Sequence, residues 1–145
     1  ISSGLVGSEM CIRDRLYPNI QIQLSHQIKE ALVFGSMDDM EEVIGNVIEN
    51  ACKYGNRRII VQILTFKEND IKLIVSDDGP GLSIEEMNKV FARGFRLDEQ
   101  KPGTGLGLNI VKDIVETYMK GKISLNKSKK YGGLEVNIFL PLSRV

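Results

Sequence analysis

Three glycines stand on alternate positions in "KPGTGLGLNIV", residues 101–111, and run straight into an apolar segment. Glycine inside a helix costs about 1 kcal/mol against alanine. Gly103, Gly105 and Gly107 at a helix start therefore point to a backbone that must come close to something. A glycine-rich turn feeding a helix N-terminus offers free N–H groups and the positive end of the helix dipole, a setting that suits phosphate. Two familiar phosphate loops do not fit. The dinucleotide fingerprint needs a glycine where Leu108 stands and a strand where the charged "RLDEQKP" stands. The P-loop needs a lysine directly after its glycines, and none follows.

Other residues could complete such a site. Asn46, Asn50 and Lys53 in "GNVIENACKYG" share a helical stripe about 125° from the apolar face centred on Val47 and Ala51. Lysine or glutamate would be the better helix former on a plain solvated flank, and an amide oxygen is a good neutral ligand for a hard cation such as Mg²⁺. Asp77 ends an apolar run and leads into Gly79-Pro80-Gly81, which places a carboxylate at a strand end or simply marks a turn. Arg93 and Arg96 lie between two phenylalanines in "VFARGFR", within an otherwise polar stretch.

The elements that must position these groups follow from periodicity. Residues 19–25 alternate apolar and polar, as a half-buried strand does. Ser36 is a good N-cap, and Met40, Val43, Ile44, Val47, Ile48 and Ala51 recur at helical spacing until a glycine stop near Gly55. Residues 58–66 and 71–77 predict strands joined by the turn "KEND". Ser83 with Glu86 predicts a capping box opening a short helix over residues 83–91. Residues 92–102 predict a polar, mobile loop, and residues 106–119 a second long helix. "KISLNK" and "LEVNIFLPL" predict a hairpin turning through "KKYGG". The order implies a two-layer α/β sandwich, a mixed sheet with helices on one face.

The chain has 145 residues, 19 basic and 19 acidic, and this even balance argues against a broad nucleic-acid surface. No run of about 18 apolar residues occurs, so this stretch makes no membrane contact by spanning. Cys11 and Cys52 have no zinc or disulfide spacing, and His26 is the only histidine. "ISSGLVGSEMCIRDR", residues 1–15, lacks periodicity. It reads as a non-native, adapter-derived segment or a linker, and the domain is expected to occupy 16–145 as the C-terminal piece of a longer protein.

Taken together, these motifs resemble those of the GHKL superfamily of ATP-binding domains, named for gyrase, the Hsp90 chaperone, histidine kinases and MutL. The closest likeness is to the catalytic domain of bacterial sensor histidine kinases, PhoQ-like ones in particular. "NVIENACKY" is similar to the N box, "DDGPG" to the first glycine box, "FARGF" to the F box and "GTGLGL" to the second glycine box. The likeness covers residues 20–142. It implies a Bergerat-type sandwich with a mobile ATP lid, and ATP and Mg²⁺ as cofactors. Asp77 would bond the adenine amino group, with Gly79 and Gly81 in its loop and Gly81 letting the base lie close. Asn50 would bind Mg²⁺. Asn46, Lys53, Arg93, Lys101 and Thr104 would contact phosphate, and Tyr54 would flank the nucleotide. Gly103, Gly105, Leu106 and Gly107 would bring the lid's end and the next helix to the phosphates.

Hydrolases of the superfamily carry a glutamate four residues before the metal-binding asparagine, as base for water. Here that position is Asn46, and an amide cannot take a proton from water. The resemblance thus implies phosphoryl transfer to a histidine on a separate dimerisation domain, and from there to a cognate response regulator. His26, expected at the end of a strand, is not that acceptor. The resemblance also implies a cytoplasmic domain of an inner-membrane protein. Two alternatives stay open: an anti-sigma-factor-type serine kinase and a non-catalytic nucleotide-binding module of the same superfamily.

Overall fold

The computed structural model describes residues 2–91 and 107–143. Five strands form one sheet in the order β1-β2-β3-β5-β4. They are β1 (Gln21–His26), β2 (Arg58–Phe66), β3 (Asp70–Asp77), β4 (Lys122–Lys127) and β5 (Leu134–Pro141). β1 runs parallel to β2, because the long helix α2 (Met37–Tyr54) carries the chain back between them; the other pairs are antiparallel. The expected two-layer sandwich is what forms.

Period-2 alternation puts Ile59, Val61, Ile63, Ile71, Leu73 and Val75 on one sheet face. Against them lies the α2 stripe of Val43, Ile44, Val47 and Ile48, each at most 1% exposed. Ser36 caps α2, and the Asp39 side chain returns the bond to the Ser36 N–H, a reciprocal pair that satisfies two orphan donors. The helix stops at Gly55, but not through a left-handed turn: Gly55 has φ −72°. The glycine is needed for space, since a Cβ there would lie 2.6 Å from the Ala51 carbonyl oxygen.

The predicted capping box opens α3 (Ile84–Lys89). The second long helix begins later than its pattern indicates: α4 (Leu108–Asp113) follows Gly107 and then widens into a π-helical turn, Ile114–Tyr118, with the Met119 N–H bonding the Ile114 carbonyl. His26 ends the edge strand β1 and is exposed, as expected.

Residues 1–15, expected to form nothing regular, contribute to a helix, α1 (Ser3–Leu16). Its buried stripe runs Val6, Met10, Arg13 and then Tyr17, so a charged residue interrupts the apolar repeat and hides it from a periodicity reading. Val6 is fully buried, Arg13 pairs with Glu9 and Glu49, and the Tyr17 hydroxyl donates to Glu49 at 3.0 Å.

Candidate functional site

The sheet ends where β3 delivers Asp77 and α2 delivers its last two turns. Between them lies a small pocket of about 50 Å³. Its walls are apolar: Val47 and Ala51 from α2, Val75 and Val136 from the sheet, Leu82 and Leu108 from the flanking segments. Asn50, Tyr54, Asp77 and Gly81 supply the polar and backbone edge. A flat heteroaromatic ring fits this chemistry, with apolar faces above and below and one carboxylate to read its edge.

Asp77 is only 4% exposed. Its Oδ1 accepts from the Gly79 N–H at 2.9 Å and the Leu134 N–H at 3.2 Å. Burial raises its pKa above the ordinary 3.8, and these two N–H bonds oppose the rise. Oδ1 is thus anchored by backbone on both sides, and this fixes the plane of the carboxylate.

Its neighbour Asp78 does a different job. Burial pulls its pKa up, but N–H groups of Arg57, Arg58 and Asn56 outweigh that and hold it below the usual value. The bonds to Asp78 Oδ1 are 2.9, 3.1 and 2.9 Å in the same order. Asp78 therefore clamps the loop after β3 to the turn between α2 and β2.

Three glycines make the close approaches possible. A Cβ on Gly79 would lie 1.9 Å from the Tyr54 carbonyl oxygen, so this loop rests directly on the end of α2. Gly81 has φ +70°, a left-handed conformation glycine adopts at no steric cost. Gly133, in the β4–β5 turn, has no room for a Cβ: it would fall 2.1 Å from Asp77 Oδ1. Sequence reading missed Gly133, which stood there only as part of the turn "KKYGG". It also missed the apolar lining, whose residues look like ordinary core.

On α2, Asn50 is buried and lines the pocket, Asn46 is half-buried and Lys53 is exposed, so the stripe is neither wholly core nor wholly solvent face. Asn46 Nδ2 donates to the Glu42 carbonyl at 2.9 Å and to Glu42 Oε1 at 3.1 Å. Asn46 Oδ1 faces Gly107, where a Cβ would approach it to 3.2 Å. Gly107, at φ +64°, is the residue that starts α4. The two motifs therefore meet: the end of the glycine loop sits on the asparagine stripe. Glu49 points away, committed to Arg13 and Tyr17. Arg93, Arg96, Lys101, Gly103, Thr104, Gly105 and Leu106 lie outside the described residues.

Residues 35–144 match the family model of histidine kinase-, DNA gyrase B- and HSP90-like ATPases. The chain belongs to this ATPase family. Among curated relatives, the sensor protein kinase CarS of Pseudomonas aeruginosa is 41% identical over 107 residues, 74% of this chain and 23% of that protein. The sensor protein PhoQ of Escherichia coli K12 is 33% identical over 126 residues, 86% of this chain and 25% of that protein. The chain thus spans about a quarter of the length of these relatives. The mycobacterial sensor histidine kinase MprB has the same fold, with a TM-score of 0.85 and 25% identity, covering 99% of this chain and 95% of that one. The catalytic domain of histidine kinase ThkA shares the fold at a TM-score of 0.84 and 22% identity, covering 95% and 90%.

The apolar walls and single carboxylate of the pocket suit a nucleotide base in their chemistry. Among the described residues no cluster of three or more His, Cys, Asp or Glu could hold a metal, and Asn50 at the pocket edge carries one neutral amide oxygen of the kind that suits Mg²⁺.

Proposed function

We propose that this domain binds MgATP and presents the γ-phosphate to a histidine on a separate dimerisation domain, in two-component signalling through a response regulator. The observation that carries the reading is Asp77, buried at a strand end and anchored on Oδ1 at the edge of an apolar pocket. Asp77 takes the adenine amino group, while Val47, Ala51, Leu108 and Val136 exclude water from the ring. Asn50 contributes one ligand to Mg²⁺, which spreads the phosphates' negative charge when it is bound. Asn46, Lys53, Arg93, Lys101 and Thr104 hold phosphate, with Tyr54 beside the nucleotide. Gly103, Gly105, Leu106 and Gly107 let backbone approach it. The site lies in the cytoplasm, in a protein anchored in the inner membrane.

Asn46 stands one turn before Asn50, where a general base for water would have to be, and it cannot accept that proton. The chain alone is therefore expected to bind MgATP, yet neither label itself nor hydrolyse ATP quickly. Without an in-line acceptor it forfeits much of the roughly 7–11 kcal/mol that proximity can supply. With γ-labelled ATP and a purified dimerisation domain from a PhoQ-like kinase, acid-labile label is expected on that domain. Label on this chain alone, lost in His26→Gln, would make His26 an acceptor. Rapid phosphate release lost in Glu42→Gln or Glu49→Gln would place the chain among the hydrolases.

Asn50→Ala is expected to weaken MgATP binding at least tenfold while metal-free ATP binding, measured with EDTA, changes far less. Equal losses in both conditions would remove Asn50 as the metal ligand.

Residues 1–15 we take as a non-native or linker segment outside the ATP-binding unit. No pocket residue lies on α1. Their removal is expected to lower the melting temperature, by exposing what Val6 covers, while MgATP affinity stays within twofold. A tenfold loss of affinity would contradict this.

A further inference from the structure

The sheet has a second face, without helices, and its far end carries a concentration of aromatic and basic groups. Phe66 ends β2 and Phe139 lies in β5, with ring centroids 4.9 Å apart and planes inclined at 56°. Register places Lys72 of β3 and Lys122 of β4 on either side of Phe139. The Lys72 ammonium lies 5.2 Å from the Phe139 ring and 5.9 Å from Phe66; that of Lys67 lies 5.4 Å from Phe66. Lys120 joins the rim, its ammonium 4.3 Å from Phe34. These groups surround a recess of about 320 Å³ floored by the two phenylalanines.

Charge here is unbalanced. The whole chain has equal numbers of acidic and basic residues, but this recess has four lysines in or beside it and one carboxylate, Asp70. Among the described residues, none of the four lysines forms an ion pair. Lys67 and Lys120 are also the two described non-glycine residues with positive φ, at 54° and 57°. Turn geometry alone favours glycine at both places, yet both are lysines that line the same recess.

We propose that this recess docks an acidic protein segment carrying one apolar side chain. A concave site with an aromatic floor accepts a projecting side chain, whereas a lipid surface meets convex or flat faces. Ammonium groups already cover the rings, so these are not platforms on which nucleic-acid bases could stack. Carboxylates would instead complete the lysines and make binding salt-dependent. The recess and the pocket are at opposite ends of β3, about 23 Å apart at roughly 3.3 Å per residue, so both can be filled at once. The proposal stands independently of the nucleotide reading.

The test uses the whole ¹⁵N-labelled chain and a twelve-residue capped peptide of Asp and Glu with one central Phe. Amide shifts are expected to cluster on β3, β4 and β5 around Phe139. The affinity should fall at least tenfold in Lys72→Gln with Lys122→Gln, and stay within twofold in Lys129→Gln with Lys130→Gln. A peptide with Ser for Phe should bind at least fivefold more weakly. Unchanged ATP affinity in both double variants reports an intact fold. Equal weakening by the two double variants, or no binding at millimolar peptide, overturns the proposal. Tighter binding to phosphatidylglycerol vesicles or to oligo-dT, lost in the Lys72/Lys122 variant, overturns it in favour of that other partner.

Discussion

Asp77→Asn is expected to lower ATP affinity by one to two orders of magnitude. The carboxylate presents two equivalent acceptors, and Oδ1 is already taken by the Gly79 and Leu134 N–H groups. An amide that keeps its oxygen on those donors turns its NH₂ toward the adenine amino group, donor against donor. Losing a hydrogen bond to a charged group costs about 1.5–3 kcal/mol, which is one to two decades in Kd. Calorimetry would measure it, and a change below twofold would take Asp77 out of the site. GTP should bind the parent chain weakly, because its 6-oxo group cannot donate.

The same carboxylate sets a pH dependence. Its pKa in the folded chain is raised above 3.8, chiefly by burial. The folded state then holds this proton more tightly than the unfolded chain does. The group's contribution to stability is full below the unfolded value and is lost as pH rises through the folded one. Ligand affinity runs the other way, since the base needs the ionised form. Adenosine, which has no phosphate to titrate, should bind less well as pH falls through a value above the ordinary aspartate range, and Asp77→Asn should abolish that dependence.

Gly133→Ala should be nearly as damaging, although residue 133 is not among the pocket's walls. Its Cβ would fall 2.1 Å from Asp77 Oδ1 and 2.4 Å from the Asp77 carbonyl oxygen. The carbonyl oxygen is backbone and Oδ1 can turn away only by giving up its N–H bonds, so the β4–β5 turn must move or the carboxylate must rotate. Either outcome loses the Leu134 N–H bond. We expect at least a tenfold loss of ATP affinity together with a lower melting temperature. Gly132→Ala is the control. Gly132 has φ +87° but open space around it, so alanine there strains the turn without touching Asp77. Its affinity should stay within twofold; an equal loss in both variants would mean that turn strain, not contact with Asp77, is responsible.

The parts of this design that repeat in sequence were legible there. The α2 stripe, the alternating strands and both serine caps follow local rules, and local rules need no knowledge of the partner. Asp77, Asn50 and Gly81 were legible because polar or glycine residues stood where plain core or solvent would have chosen otherwise. Gly133 was not, because its reason lies 56 positions away, in the carboxylate it must let pass. Gly55 is legible as a helix stop, but its role as a spacer is not, because that depends on where the Ala51 carbonyl points. The α1 helix was hidden by Arg13 in its buried stripe. The π turn at Ile114–Tyr118 adds one residue to the helical repeat without any proline or glycine to signal it.

The bond from Leu134 to Asp77 has a further meaning for how the molecule assembles. β2 and β3 are joined by three residues, and β4 and β5 by six, so each hairpin pairs residues near in sequence. The seam between β3 and β5 joins segments far apart in sequence, and closing so long a loop must be met in entropy before its contacts return anything. Asp77 lies on one side of that seam and Leu134 on the other, with the pocket between them. The site is therefore complete only where the two hairpins are joined, and a ligand that recognises the finished pocket holds that seam closed.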